Sequence, residues 1–82
     1  MGLSEEQVAL ILAEFTARYR AKFNKMPSGG FWLEQPVRSE TDEDGFTQFS
    51  FNVMSKKGLR AQGSYTICSL GSEYEPELSL SI

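Results

Sequence analysis

Two hydrophobic periods divide this chain. Between positions 8 and 23 the apolar residues Val8, Ile11, Leu12, Phe15, Tyr19 and Phe23 recur at steps of three and four, which lays a single stripe along one side of an α-helix. The ends of that helix are written in the same stretch. Ser4 is placed to cap the first turn, and Gln7 completes a capping box. Leu3 and Val8 stand where a hydrophobic staple closes across the cap. Glu5 and Glu6 fall at the partial positive end of the helix, and Arg18, Arg20, Lys22 and Lys25 toward its negative end. Asn24 suits a left-handed C-terminal cap and Pro27 cannot continue the helix. The helix is therefore predicted over residues 5–23.

After PSGG, residues 27–30, the period changes to the alternation of a half-buried strand. FWLEQPV puts Phe31, Leu33 and Val37 on one parity. FTQFSFNVM puts Phe49, Phe51 and Val53 on one face and Gln48, Ser50 and Asn52 on the other. LRAQGSYTICSL carries Leu59, Ala61, Gly63, Tyr65 and Ile67 on one parity, and ELSLSI carries Leu78, Leu80 and Ile82 inward with serines outward. Strands are predicted over residues 31–38, 46–55, 59–70 and 77–82. Pro36 has no N–H for a ladder, which marks the first of these as an edge strand or a bulge. Two acidic loops, SETDEDG and LGSEYEPE, and the turn SKKG join the strands.

The middle hairpin carries enough information to argue a register. If both core faces lie on the same side, paired residue numbers must sum to an even number. A two-residue turn over Lys56 and Lys57 gives an odd sum and sets Arg60 opposite Val53. A three-residue turn closed by Ser55 and Leu59, with Gly58 in the left-handed position of a bulged turn, gives an even one. That choice sets Phe49 against Tyr65, Phe51 against Gly63 and Val53 against Ala61, leaving space beside the small residues for a ring from the helix. The expected fold is α+β, a single domain over residues 1–82, with one N-terminal amphipathic helix packed on a four-stranded antiparallel β-meander.

Length limits what such a fold can hold. A chain of 82 residues buries roughly 60–65% of its unfolded surface, enough for one modest core and rarely for a deep pocket as well. Histidine is absent, so the usual neutral-pH base and the usual zinc ligand are both missing. The one cysteine, Cys68, has no imidazole to activate it and no partner for an intramolecular disulfide. It reads as a small filler on the outward parity of its strand, suited to a reducing cytoplasm. PSGGF has two glycines but not the spacing of a phosphate loop. The expectation is a non-enzymatic protein without a cofactor. MGLSEEQ lacks the basic region and apolar run of a signal peptide. No apolar run approaches the ~18 residues of a membrane span, so no membrane is expected among its partners.

Charge then sorts the partners. Eleven acidic residues against 8 basic ones give a net charge of −3, which argues against a nucleic-acid binder with a basic stripe. A calcium loop places acids at alternate positions and a Glu further on, whereas Asp42, Glu43 and Asp44 are consecutive. They read as a solvated loop whose like charges keep the sheet edge from associating, or as a contact for a basic partner. EYEPE reads as an exposed turn, or as a protein contact centred on Tyr74. Arg18, Lys22 and Lys25 follow one another along the solvent side of the helix. That row matches the helix dipole, and it is also the alternative surface for nucleic acid, although Tyr19 and Phe23 belong to the core stripe and are not free to stack on bases.

The sheet face away from the helix weighs most. Its parity reads Trp32, Glu34, Arg38, then Gln48, Ser50, Asn52, Met54, then Arg60, Gln62, Ser64, Thr66, Cys68. That surface is polar but little charged, and it contains Trp32 and Met54. Trp, Met and Arg are enriched in interface centres, while an ordinary wet sheet face is the plain alternative.

The order of elements resembles the cystatin arrangement in outline. That family's inhibitor glycine and loop motifs are not identifiable here, so no residue role is carried over. In profile the chain is similar in kind to the small inhibitors that phages and mobile elements make against host defence, including anti-CRISPR proteins. The expectation is a protein-binding module that occludes a basic or nucleic-acid-handling surface through Trp32, Arg38, Asp42, Glu43, Asp44, Met54 and Tyr74. A nucleic-acid binder using Arg18, Lys22 and Lys25 is the alternative. A structural homodimer, joined through the open face or the edge at residues 78–82, is a third reading.

Overall fold

A computed structural model describes residues 2–26, 28–68 and 75–82. Helix α1 spans Glu5–Phe23, the predicted bounds. Its caps are the ones the sequence carries. The Gln7 N–H donates to Ser4 Oγ at 3.1 Å and the Ser4 N–H to Gln7 Oε1 at 2.8 Å. Asn24 takes a left-handed φ of 54° and donates its N–H to the Arg20 carbonyl at 2.8 Å. Ile11, Phe15 and Tyr19 are buried. Phe23 departs from the predicted stripe. It is 45% exposed, because it stands at the last helical residue, where its ring covers Tyr19 at a centroid distance of 4.7 Å.

The strands are β1 Trp32–Leu33, β2 Arg38–Thr41, β3 Phe46–Ser55, β4 Gly58–Cys68 and β5 Glu77–Ser81. All pairings are antiparallel: β1 and β2 both lie along β3, β3 pairs with β4, and β4 with β5. The predicted strand over 31–38 is thus two short strands in one outer lane. The Glu34 N–H still donates to the Asn52 carbonyl at 2.9 Å. The chain then leaves β3 through the cis Gln35-Pro36 peptide, where Pro36 has no donor for the ladder, and returns at Arg38. The meander keeps its lanes, with the first interrupted. The fourth predicted strand ends at Ser81 and not at 82, and of the third, residues 69 and 70 lie outside the described residues.

The loop SETDEDG is shorter than expected. Ser39, Glu40 and Thr41 pair with Phe49, Gln48 and Thr47, and only residues 42–45 turn the chain. Asp42 makes this tight turn. Its Oδ1 accepts the N–H groups of Asp44 at 3.0 Å and Phe46 at 2.9 Å, the way an Asx side chain substitutes for backbone in a turn. Gly45 supplies the left-handed residue at φ 85°.

The β3–β4 hairpin has the expected core register, with Phe49, Phe51 and Val53 paired to Tyr65, Gly63 and Ala61. The turn that produces it differs. Ser55 pairs with Gly58 and Met54 with Leu59, and the register shifts between Val53 and Met54. The turn therefore has two residues, Lys56 and Lys57, and a bulge at Arg60 restores the even sum. Ser55, only 3% exposed, gives the physical reason. Its Oγ accepts the Lys57 N–H at 3.2 Å and the Arg60 Nε at 2.9 Å, closing the turn and seating the extra residue together. The bulge reverses two assignments made from parity. Leu59 leaves the core and lies beside Met54, 54% exposed. Arg60 leaves the open face and meets Ser55 on the helix side.

The core lies between layers, where Ile11, Phe15 and Tyr19 meet Leu33, Phe49, Phe51, Val53, Ala61 and Tyr65. Phe31 stands edge-on to Phe15 and Tyr19, at centroid distances of 4.7 and 5.0 Å. No helix ring fills the space beside Gly63. A Cβ there would meet Leu80 Cδ2 and Phe51 Cε1 at 2.9 Å and the Ser79 carbonyl oxygen at 2.6 Å, so neighbouring strands already occupy it.

Candidate binding surface on the open sheet face

One helix covers one face of the sheet. On the other, cross-strand pairing sorts the side chains into rows, since directly opposed residues share a face. Nearest the turn over residues 42–45 stands the pair Phe46 and Cys68, and the first full row is Glu40, Gln48, Thr66 and Glu77. Next come Arg38, Ser50, Ser64 and Ser79. The third row is Asn52, Gln62 and Ser81, with Glu34 held at its edge by Asn52 Nδ2 at 3.1 Å. The last is Trp32, Met54 and Leu59. From that end pair the face passes through an acidic row and small polar rows to a second apolar end.

The middle rows form a shallow trough of about 750 Å³, lined by Arg38, the serines of β3, β4 and β5, Asn52, Gln62 and the Gln35–Pro36 crossing. Short side chains make the trough. Ser81 ties down its floor, donating from Oγ to the Gln62 carbonyl at 2.9 Å. The apolar row rises at one end, with Trp32 43% and Leu59 54% exposed. Burying what those two leave in water, on the order of 200 Å² of apolar surface, is worth about 5 kcal/mol before association costs.

Among the residues singled out in the sequence, Trp32, Arg38 and Met54 do share this face. Asp42, Glu43 and Asp44 stand beyond its acidic row, with Asp42 committed to its turn. Tyr74 lies outside the described residues. The helix cations each have a different neighbour. Arg18 pairs with Glu14 at 3.6 Å, Lys22 Nζ donates to the Ile82 carbonyl at 2.7 Å, and Lys25 lines a cleft beside Lys56 and Lys57. Among the described residues no three Cys, Asp or Glu side chains converge to hold a metal ion, and no helix is long and apolar enough to cross a membrane.

Sequence reasoning missed Leu59, because strict alternation assigns it to the core. The signal was present in the odd sum of a Ser55 and Gly58 pair, which demands one extra residue before Ala61 can face Val53. No family model, curated protein or solved structure matches this chain, and the functional reading rests on these rows of side chains.

Proposed function

We propose that the protein is a non-enzymatic binding module that docks its open sheet face on another protein. The observation that carries this reading is the row of Trp32, Met54 and Leu59, three neighbouring apolar side chains on adjacent strands, set beside a polar trough. Aromatic and Met side chains ringed by polar groups are the composition of interface centres. The acidic row and the carboxylates of Glu43 and Asp44 steer the module toward a basic surface, an effect on encounter more than on lifetime. An inhibitor that occludes such a surface, of the kind directed by phages and mobile elements at host defences, anti-CRISPR proteins among them, agrees with this profile. The helix cations give weaker support to a nucleic-acid reading, since Arg18 and Lys22 are engaged within the chain.

Affinity capture from a bacterial lysate tests the reading when run in parallel with wild type and the double variant Trp32→Ser, Leu59→Ser. Both side chains are exposed, so the variant should stay within ~0.5 kcal/mol of wild-type stability. A specific protein retained by wild type should be lost with the variant. Identical retention by both would remove the open face from consideration. Light scattering at physiological salt separates the homodimer reading, which requires a mass near twice 9.2 kDa. Once a partner is in hand, Trp32→Ala should speed dissociation, and Glu43→Gln with Asp44→Asn should slow association only.

A further inference from the structure

At the end of the sheet opposite the acidic turn, a cleft of about 490 Å³ opens between the helix end and the β3–β4 turn. Its walls hold Lys25, Lys56, Lys57 and Arg60, half of the 8 Lys and Arg residues in a chain of net charge −3. Among the described residues no Asp or Glu lines it, and Tyr19, Met26, Ser28 and Ser55 complete it. The cations reach it from separate segments: Lys25 from just beyond the helix cap, Lys56 and Lys57 from the turn, Arg60 from the bulge.

Two of them are positioned. The Arg60 Nε bond to buried Ser55, at 2.9 Å, sets the plane of the guanidinium, whose terminal nitrogens carry the paired donors that match an oxyanion. The Lys56 stem runs against the loop before β1, where a Cβ on Gly29 would stand 2.7 Å from its Cε. Gly29 has no Cβ to displace that stem, and its φ of +87° is one that other residues rarely adopt. Surfaces shaped by solubility alone intersperse charges of both signs. Here cations gather in a concavity with no counter-charge on its walls among the described residues.

We propose that this cleft binds the phosphate group of a small phosphorylated molecule. Arg and Lys together recognise phosphate by fork and point charge. The volume falls in the range of small-molecule sites, about 300–1,000 Å³, and Tyr19 and Met26 offer an apolar wall to the organic part. The site is separate from the open face and goes beyond the docking role argued for it.

Adenosine triphosphate, inorganic pyrophosphate and a short single-stranded RNA are titrated separately into the whole chain while amide NMR spectra are recorded. The nucleotide and pyrophosphate should move the amides of residues 55–60 and of Lys25, and leave those around Asp42 still. Lys25→Gln with Lys57→Gln changes side chains only and keeps the Lys57 N–H that bonds Ser55, so it should keep the folded spectrum and weaken both ligands about tenfold or more, as loss of two charge-assisted contacts requires. Trp32→Ala should bind both as wild type does. No movement at the cleft with millimolar nucleotide or pyrophosphate, or undiminished binding by the double variant, overturns the proposal. RNA binding tighter than pyrophosphate, with shifts spreading to Arg18 and Arg20, overturns its small-molecule part and assigns the phosphate to a nucleic-acid backbone.

Discussion

Replacing Gly63 by alanine should destabilise the protein, although intrinsic preference points the other way. Alanine restricts the unfolded chain, and at a compatible site that gain is ~0.4–1 kcal/mol. Geometry makes Gly63 an incompatible site. An added Cβ would stand 2.6 Å from the Ser79 carbonyl oxygen and 2.9 Å from both Leu80 Cδ2 and Phe51 Cε1. Leu80 and Phe51 are side chains that can shift by tenths of an ångström at the cost of core order. The Ser79 oxygen cannot, because it belongs to the backbone of β5, and Ser79 is paired to Ser64 next to the site. Overpacking of this kind costs ~1–3 kcal/mol, so the net loss should be about 1–2 kcal/mol. A domain of this size holds ~5–10 kcal/mol in all. With a urea m-value near 1 kcal/mol/M, the midpoint should fall by about 1–2 M. In Gly63→Ala combined with Leu80→Ala, one of the close contacts is relieved but not the carbonyl, so the double variant should be less stable than either single one. A midpoint at or above wild type for Gly63→Ala would falsify the close approach of β5 to β4.

Phe15→Ala should cost ~3–5 kcal/mol by lost transfer energy and a cavity, since Phe15 is wholly buried and meets Phe31 edge-on; an unchanged urea midpoint would put it in water. Ser55→Ala should cost ~1–3 kcal/mol, because the Lys57 N–H and the Arg60 Nε lose a shared acceptor, and the amides of the turn should exchange with solvent faster; unaltered exchange would show the turn closes without the hydroxyl. Asp42→Ala should lower the melting temperature through loss of a turn acceptor for two N–H groups, about 1 kcal/mol or more. Glu43→Gln with Asp44→Asn should stay within ~0.5 kcal/mol, and equal effects from the two variants would show that charge and not turn geometry matters at this loop.

Most of the fold is legible in the sequence because several local signals agree. Ser4 with Gln7 and Asn24 mark the helix ends through backbone chemistry that needs no tertiary partner. The alternation of Phe49, Phe51 and Val53 forces the sheet face toward the helix. The form of the hairpin turn escaped because it depends on a single hydroxyl. Pattern alone weighs a two-residue against a three-residue turn by the parity it leaves behind. It does not register that Ser55, bonded to both Lys57 and Arg60, stabilises a tight turn plus a bulge with the same final register. The acidic loop shortened for a like reason, since the Asp42 carboxylate completes the turn and frees three residues to pair. The candidate surface was half legible. Trp32 and Met54 follow from alternation, whereas Leu59 on that face and Arg60 in the cleft follow only from the bulge.

The acidic turn and the lysine turn cap opposite ends of β3, roughly 30 Å apart for a strand of this length, in a body 40 Å long. That separation gives the protein a permanent electric moment along its strands. At an ionic strength of 0.15 M the screening length is about 8 Å, and an approaching molecule feels one end at a time. Near 0.01 M it grows to about 30 Å, and the whole body should turn before it touches anything charged. Salt therefore decides which end leads an encounter, and not merely how fast the encounter comes. A bipolar body is also complementary to its own copy placed head to tail, a heterologous contact that does not close on itself. Dilute buffers should string molecules into short, open, salt-labile chains, and added salt should return them to single copies.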